Sequence, residues 1–294
     1  MTGKVSLTVK NFWHNLLELL EMIKIGHSVL ALPFAFMGAL LAARGLPDGR
    51  TIFFIVVAMV GARSAAMAFN RLADARFDAA NPRTADRALP AGKISRRATL
   101  LFIGASAVLF MGAAAQLNRV CFALSPVALL VIMGYSLTKR FTSATHLVLG
   151  LSLGLAPLGG WLAVRGDLGL SVLVLAGAVV FWVAGFDVLY ALQDEEFDRS
   201  AGLFSLPARV GPTWARRLAA LCHLAAALGF AATGRLAGLG AIYAGAVAVS
   251  SLILLVQHLL LAVREPHRLP PAFFTLNGVV GLGLGLATWI SLAI

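Results

Sequence analysis

Long apolar segments are the feature of this 294-residue chain that most limits its fold. A helix needs about 20 consecutive apolar residues to cross a bilayer, and backbone polar groups in lipid are satisfied only within helices or closed barrels. Nine segments suit such helices, so the sequence predicts an all-α integral membrane domain over 1–294. The segments lie near 25–43, 51–70, 98–116, 120–138, 147–164, 171–192, 216–233, 238–262 and 273–293.

The composition and charge agree with residence in a lipid bilayer. Hydrophobic residues make up 60% of the chain and charged residues only 13%, which excludes an ordinary soluble domain. The net charge of +11 does not indicate a nucleic-acid partner, because Lys and Arg of membrane proteins accumulate in cytoplasmic loops. Fifteen of the 24 Lys and Arg residues lie in alternate loops, against five in the opposite set. The N-terminus and the alternate loops are therefore predicted to face the cytoplasm; those loops are 71–97, 139–146, 193–217 and 263–272.

The N-terminal residues are predicted to form a surface element rather than a cleaved leader. Residues about 11–24 mix charged and large apolar side chains at helical spacing, which is typical of an amphipathic helix lying on a membrane. The transmembrane part is then expected to run from about 25 to 293.

Two acidic stretches share one spacing. Each follows an apolar span, and the second repeats the first at a constant offset of 120 residues. Helix positions four apart share a face, so each stretch is expected to present two carboxylates in one direction. The pattern indicates a duplicated helical unit arranged around a central cavity, with Asp-rich loops at its cytoplasmic edge. The two sets are Asn70, Asp74 and Asp78, and Tyr190, Asp194 and Asp198.

Carboxylates beside the hydrocarbon layer predict a metal site. A charged side chain at membrane depth is costly and usually functional. Mg²⁺ is commonly held by a few carboxylates together with substrate phosphates. A single Asp-x3-Asp stretch is also compatible with a solvated helix end, but two matched copies favour Mg²⁺ binding. The predicted ligands are Asp74, Asp78, Asp194 and Asp198.

Basic residues near the acidic stretches suit a diphosphate. Lys139 and Arg140 end the fourth span, with Tyr135 one turn earlier, and Arg83 and Arg87 follow the first acidic stretch. A lysine provides a point charge and an arginine a bidentate fork for phosphate oxygens. The preference for positive charge in cytoplasmic loops accounts for most other basic residues here.

One cation lies within an apolar span and therefore predicts a cavity. Arg63 is seven residues, or about two turns, before Asn70. Two roles are open for it: an ion pair with Asp187, which is seven residues before Asp194, or binding of an acidic acceptor's carboxylate.

The histidines and cysteines do not predict a site of their own. The six histidines form no ligand cluster, and only His27 and His146 fall near the expected cytoplasmic mouth. Two roles are open for His27: hydrogen-bonded packing, which is favoured, and lining of the acceptor pocket together with Ser28. Cys121 and Cys222 lie inside apolar segments and are expected to be small buried residues.

At these residues the chain resembles the UbiA-type intramembrane prenyltransferases over nearly its whole length. One departure is Arg71, which follows Asn70 where many members carry Asn-Asp, and this removes one potential Mg²⁺ ligand. The resemblance implies nine transmembrane helices in a ring around a cavity open to the cytoplasmic side and laterally to lipid. It is strongest to bacterial 4-hydroxybenzoate polyprenyltransferase-like proteins of the inner membrane. It is carried by Asn70, Asp74 and Asp78, by 81–92, by 135–140, and by Asp187, Tyr190, Asp194 and Asp198.

The resemblance implies Mg²⁺-dependent transfer of a polyprenyl group from its diphosphate to a ring carbon of an aromatic acid. The implied acceptor is 4-hydroxybenzoate, with a hydroxynaphthoate as the alternative. By this reading Asp187 orients or deprotonates the phenol, while Lys139 and Arg140 neutralise the leaving diphosphate. Arg63 joins them as a catalytic candidate, and Asn70, Tyr135 and Tyr190 complete the diphosphate and metal site.

Other functional classes are also compatible with parts of the pattern. Intramembrane charges with internal duplication mark secondary transporters as well, but transporter coupling sites usually lie near the membrane midplane rather than at one face. An intramembrane phosphatase or CDP-alcohol transferase also needs clustered acids and metal. The latter class carries a longer Asp-Gly spacing that this sequence lacks.

Overall fold

The computed structural model describes residues 30–262 and 272–294, and the regular structure within these ranges is helical. The predicted surface helix at about 11–24 lies outside them. A 3-10 turn at Leu192–Asp194 separates α6 from α7. The helices are α1 (Leu32–Ala43), α2 (Gly49–Ala80), α3 (Arg96–Leu117), α4 (Arg119–Thr138), α5 (Thr145–Arg165), α6 (Leu170–Ala191), α7 (Glu195–Ser200), α8 (Leu206–Ala237), α9 (Ala241–Ala262) and α10 (Ala272–Ala293).

The predicted membrane helices are confirmed by the lengths and composition of these elements. In the described part of the chain, eight helices are long and apolar enough to cross a membrane, and α1 is a shorter apolar helix. The first predicted span, 25–43, begins outside the described residues. Two helices extend into segments that the sequence assigned to loops: α2 continues through residues 71–80, and α8 begins at Leu206 rather than near 216.

Side-chain caps explain where several helices begin. The carboxylate of Asp48 accepts a hydrogen bond from the Thr51 backbone N–H at 3.0 Å and starts α2. Such capping oxygens satisfy backbone donors that lack partners in the first turn of a helix. The same role is played by Ser95 for α3, Asn118 for α4 and Ser205 for α8.

The long helices form a ring that α1 crosses. Neighbours pack in the order α2, α3, α4, α5, α6, α8, α9, α10 and α1, and α1 also packs directly against α5. Two glycines permit this crossing, because a Cβ at Gly160 would overlap the Ala35 carbonyl and one at Gly38 would overlap the Pro157 carbonyl. At Gly150 a Cβ would overlap the Val180 carbonyl of α6. Small residues thus bring α1, α5 and α6 into backbone contact, as is common in membrane helix packing.

The two sides of α1 differ in packing. On one side α6 is the most buried long helix, and Phe34 contacts Trp182 and Phe230 with ring centroids 5.1 and 6.0 Å away. On the other side a cavity of about 380 Å³ is lined by α1 to α5. Along α4 its wall runs from Cys121 to Tyr135, or about 21 Å at 1.5 Å per residue. The central cavity is therefore built by the first five helices, while the later helices form a solid core.

Candidate active site

The first acidic motif lies on the last turns of α2, and its carboxylates are buried. Asp74 Oδ2 is 2.9 Å from Lys139 Nζ, and Asp74 Oδ1 is 3.9 Å from Arg140 Nη2. Asn70 donates from its amide to Asp74 at 3.2 Å and to the Ser136 hydroxyl at 3.3 Å. The predicted group of Asn70, Asp74, Lys139 and Arg140 is thus brought together where α2 and α4 end.

Lys139 and Arg140 are held over α2 by further contacts. Arg140 Nη2 donates to the Ala73 carbonyl at 2.6 Å. The Lys139 and Arg140 head groups lie 6.0 and 5.6 Å from the centroid of the Phe77 ring, within cation–π range. Both cations therefore face the acidic end of α2.

Asp78 has its own cation from the loop that follows α2. Arg87 Nη1 lies 2.7 Å from Asp78 Oδ1. The Thr84 hydroxyl donates to the Asp78 backbone carbonyl at 3.1 Å, which folds this loop back onto the helix end. Arg87 is therefore positioned by the same loop that leaves the motif.

The second motif departs from the predicted single helical face. Helix α6 ends at Ala191, Asp194 closes the 3-10 turn, and Asp198 lies on α7. The Arg83 guanidinium binds both carboxylate oxygens of Asp194, and Asn81 donates to Asp194 Oδ1 at 3.3 Å. The two motifs are therefore joined by the loop that follows the first one.

Tyr190 and Asp198 complete the surroundings of the second motif. Arg83 Nη1 donates to the Tyr190 hydroxyl at 3.4 Å, and its guanidinium lies 5.6 Å from the Tyr190 ring centroid. Asp198 is close enough to Asp194 and Lys139 for their charges to act on it. Lys139 thus lies within electrostatic reach of carboxylates from both motifs.

Arg83 keeps its charge in this setting. Burial lowers the pKa of its guanidinium, but hydrogen bonds from Arg83 to Asp194 and the charge of that carboxylate raise it, and its pKa lies above the ordinary arginine value. Arg83 is therefore a permanent cation at the mouth of the site.

The carboxylates have spare oxygens that suit a metal ion. Within the described ranges, no three His, Cys, Asp or Glu side chains already form a ready metal-binding cluster. Among the residues that the structure describes, Asp74 Oδ1 and Asp78 Oδ2 are nonetheless buried without a hydrogen-bond partner. Buried polar atoms are normally satisfied, and hard carboxylate oxygens are the ligands that Mg²⁺ prefers. These donors therefore fit a Mg²⁺ ion.

Asp187 contacts His146 rather than Arg63, the partner that the sequence offered for it. The possible Arg63–Asp187 ion pair is not formed, because Asp187 Oδ2 lies 2.7 Å from His146 Nδ1. Arg63 instead lines the cavity together with Tyr135, and its buried Nε has no hydrogen-bond partner among the described residues. An unpaired cation in an apolar cavity is suited to an anionic ligand.

The site and fold match one known family. Its model, the UbiA prenyltransferase family, matches residues 31–279. The chain belongs to the UbiA prenyltransferase family. It is 36% identical to a UbiA homolog from Aeropyrum pernix K1, whose apo structure superimposes with a TM-score of 0.82 over 90% of this chain and 98% of that one.

Two further relatives extend the comparison. A 4-hydroxybenzoate octaprenyltransferase from Vibrio cholerae is 32% identical over 279 residues, which cover 92% of this chain and 96% of that protein. A UbiA homolog from Archaeoglobus fulgidus, solved with GPP and Mg²⁺, is 18% identical and covers 94% of this chain and 100% of that one. Its TM-score of 0.71 supports the shared fold.

The family membership fixes the general activity. The chain is a membrane-embedded prenyltransferase of the 4-hydroxybenzoate polyprenyltransferase-like type, because relatives with that activity match most of its length. The chain is therefore an enzyme rather than a secondary transporter.

Proposed function

We propose that the chain transfers a polyprenyl group from polyprenyl diphosphate to a ring carbon of an aromatic acid, most favourably 4-hydroxybenzoate, as in ubiquinone biosynthesis. The observation that carries this proposal is the junction of two environments. A cluster of carboxylates and cations adjoins an apolar cavity whose wall contains the unpaired Arg63. The cluster suits a diphosphate, the cavity an isoprenoid tail, and Arg63 an acceptor carboxylate.

The charged cluster is proposed to hold the diphosphate of the donor. Mg²⁺ bound by Asp74, Asp78, Asp194 and Asp198 would supply positive charge to the leaving diphosphate. Asn70 holds Asp74 through its amide hydrogen bond. Lys139 and Arg140 neutralise charge that develops on the diphosphate as the allylic C–O bond breaks.

The ion pairs of Lys139 and Arg140 with Asp74 keep both cations in place before the donor binds. The UbiA homolog from Archaeoglobus fulgidus that was solved with GPP and Mg²⁺ supports this assignment.

The acceptor is proposed to bind between the charged cluster and the cavity. The ring carbon next to the phenol oxygen attacks the allylic carbon, and a C–C bond forms as the allylic C–O bond to the diphosphate breaks. That ring carbon then loses its proton to the released diphosphate or to water. Asp187 orients the phenol or accepts its proton. Tyr135 and Tyr190 place aromatic faces near the allylic cation. Arg63 binds the carboxylate of the acid and so selects an aromatic acid over a plain phenol.

The orientation in the membrane is proposed from the distribution of charge. The N-terminus, the acidic loops and the diphosphate site face the cytoplasm of a bacterial inner membrane, because Lys and Arg concentrate in the same alternate loops. The lipid bilayer then receives the part of a long tail that the cavity does not enclose.

The test uses purified protein in nanodiscs with Mg²⁺, geranyl diphosphate as donor, and 4-hydroxybenzoate, a dihydroxynaphthoate or unsubstituted phenol as acceptor. Mass spectrometry is expected to detect prenylated 4-hydroxybenzoate that disappears in EDTA. A higher kcat/KM for the naphthoate would assign the alternative acceptor. Failure with both acids across donor lengths would overturn the aromatic-acid assignment.

Arg63 provides a matched pair of variants for the same assay. Arg63→Met is expected to raise the KM for 4-hydroxybenzoate at least roughly tenfold, since a charge-assisted hydrogen bond contributes about 1.5–3 kcal/mol. Arg63→Lys retains the charge and should lose less. Transfer to phenol should be equally poor in wild type and Arg63→Met, and a loss with phenol as large as with the acid would argue against carboxylate binding.

A further inference from the structure

A buried histidine outside both acidic motifs contacts Asp187. His146 is the second residue of α5 and is 5% exposed. Its Nδ1 is 2.7 Å from Asp187 Oδ2, and its Nε2 accepts a hydrogen bond from the Leu206 backbone N–H at 3.2 Å. Both ring nitrogens are therefore engaged, one by α6 and one by the start of α8.

The Leu206 contact determines which nitrogen carries the proton. A backbone N–H can only donate, so Nε2 must be the unprotonated nitrogen of the ring. The proton then lies on Nδ1 and is donated to Asp187. Because Nε2 accepts from Leu206, His146 cannot take up a second proton without losing that hydrogen bond. The ring is therefore held as a donor to Asp187 at one nitrogen and as an acceptor from Leu206 at the other.

The loop behind His146 is held by a second backbone contact. The Phe204 N–H donates to the Lys139 carbonyl at 2.7 Å. The backbone N–H groups of Phe204 and Leu206 thus attach the segment after the second acidic motif to the end of α4 and the start of α5. Of these two contacts, the one from Leu206 reaches the His146 ring, at the nitrogen that does not contact Asp187.

Asp187 is open on its other side. Its side chain is 26% exposed, against 6% for His146. Its charge acts on Tyr135, which belongs to the cavity wall. One carboxylate oxygen is thus committed to His146, while the group faces the region where the acceptor is proposed to bind.

We propose that His146 is a positioning residue for prenyl transfer: its Nδ1–H holds the Asp187 carboxylate in the orientation that receives the acceptor phenol. This rests on the proposed function of Asp187. A hydrogen bond to one oxygen of a catalytic carboxylate fixes its rotamer and leaves the other oxygen directed at the substrate. The closest analogy in physical terms is the orienting partner of a general base, with the order of histidine and carboxylate reversed.

Two isosteric variants separate the two contacts of the ring. In His146→Asn the side-chain amide lies near the position of Nδ1, so a donor to Asp187 is retained and the acceptor for Leu206 is lost. In His146→Gln the amide reaches the position of Nε2, so its oxygen still accepts from Leu206 while the donor to Asp187 is lost. A positioning role makes Gln the more damaging change, although it preserves the loop anchor.

The experiment measures kcat and both KM values with geranyl diphosphate and the acceptor that wild type prenylates. His146→Gln is expected to lower kcat roughly tenfold or more, with an unchanged KM for the donor, while His146→Asn stays within about threefold. Adding His146→Gln to Asp187→Asn should cause no further loss, because the two residues act as one unit. Equal losses in both His146 variants, accompanied by equal drops in Tm, would assign a purely structural role and overturn the proposal.

The failure of this inference is distinguishable from that of the proposed function. If Asp187→Asn keeps the wild-type kcat, the proposed role of Asp187 fails and the positioning role fails with it. If Asp187→Asn loses activity while His146→Gln does not, only the role of His146 is overturned. Nitrogen-15 NMR of labelled His146 supplies a readout that needs no activity: a proton on Nδ1 is expected, and a proton on Nε2 instead would contradict the geometry.

Discussion

The carboxylates of the first acidic motif, Asp74 and Asp78, lie on one unbroken helix, whereas Asp194 and Asp198 of the second lie on a 3-10 turn and on the short helix α7. Asp74 and Asp78 are buried, with only 4% and 6% of their surface exposed. The second is reached from across the molecule, because Arg83 comes from the loop that follows the first motif.

This difference shows that a repeated spacing does not guarantee a repeated geometry. In the first motif the helix itself places both acids on one face. In the second, tertiary contacts with Asn81 and Arg83 hold Asp194 in place of helix continuity. The first half of the chain therefore supplies both its own acids and the clamp for the second set.

The largest loss of activity is expected at Asp74 in the first motif. Asp74→Asn removes a buried charge that faces Lys139 and Arg140, and kcat is expected to fall roughly 10²–10³-fold, as for loss of a preorganised electrostatic group. Asp194→Asn should cost less, since Asn81 and Arg83 still shape that end of the site. Mass spectrometry of the prenylated product measures both. Asp167→Asn, at an exposed ion pair with Arg165, is the control, and equal losses at Asp74 and Asp194 would remove the distinction.

The Arg87–Asp78 ion pair is expected to contribute more to the free energy of unfolding than the Arg83–Asp194 ion pair. Arg87→Gln leaves the Asp78 carboxylate buried without its cation, and unfolding free energy should fall by about 1–3 kcal/mol. Arg83→Gln exposes the less buried Asp194, which retains Asn81, and should cost less than about 1 kcal/mol. Denaturant unfolding in detergent without ligands measures the difference. A larger loss for Arg83→Gln would reverse the ranking of the two motifs.

Replacement by lysine tests the geometry of each clamp at constant charge. Arg83 binds Asp194 through a two-pronged fork that lysine cannot reproduce, so kcat/KM for the donor should fall roughly tenfold in Arg83→Lys. Arg87 contacts Asp78 through a single nitrogen, and Arg87→Lys should stay within about threefold of wild type. Steady-state kinetics with geranyl diphosphate decides this, and similar values for the two variants would show that only the charge matters.

Asn81 is expected to give the smallest effect. Its side chain accepts from the Arg83 N–H at 2.9 Å and donates to Asp194 at 3.3 Å. Asn81→Ala loses both contacts of this buried side chain, but Arg83 still binds both carboxylate oxygens of Asp194, so kcat/KM should fall only about two- to fivefold. Asn81→Asp keeps the acceptor but adds a negative charge beside Asp194, and should be worse than alanine. An Asp variant as active as wild type would show that Asn81 does not act on the second motif.

The sequence predicted the helices better than the contacts between them. Apolar length alone located the spans, and the spacing of Asp74 and Asp78 was sufficient because both remain on α2. The predicted end of the sixth span at 192 agrees with the end of α6 at Ala191, but the expectation of one helical face for Asp194 and Asp198 was wrong, because Asp194 lies on a 3-10 turn and Asp198 on α7. Gln193 and its neighbours carry no Gly or Pro signal for this turn.

Long-range pairing was also beyond the sequence pattern. Arg83 and Asp194 are 111 residues apart, and His146 and Asp187 are 41 apart. Charge and spacing place such groups near one mouth but do not choose the partners. Arg63 and Asp187 were a reasonable pair by helical position, yet His146 at the start of α5 reaches Asp187 instead. The signal that was present, a histidine near the cytoplasmic mouth, does not distinguish packing from positioning.

The backbone contacts of α5 also bear on how this enzyme can evolve. Gly160 and Gly150 leave no space for even a methyl group between α5 and its neighbours α1 and α6. A shift of α5 toward α1 or α6 is therefore excluded, and the spacing of these three helices is held constant. The cavity can still be widened or narrowed by substitution of small lining side chains, such as Ala62 on α2, Ala114 on α3 and Ala128 on α4. Diversification toward longer or shorter isoprenoids then requires changes of side chains rather than changes in helix packing.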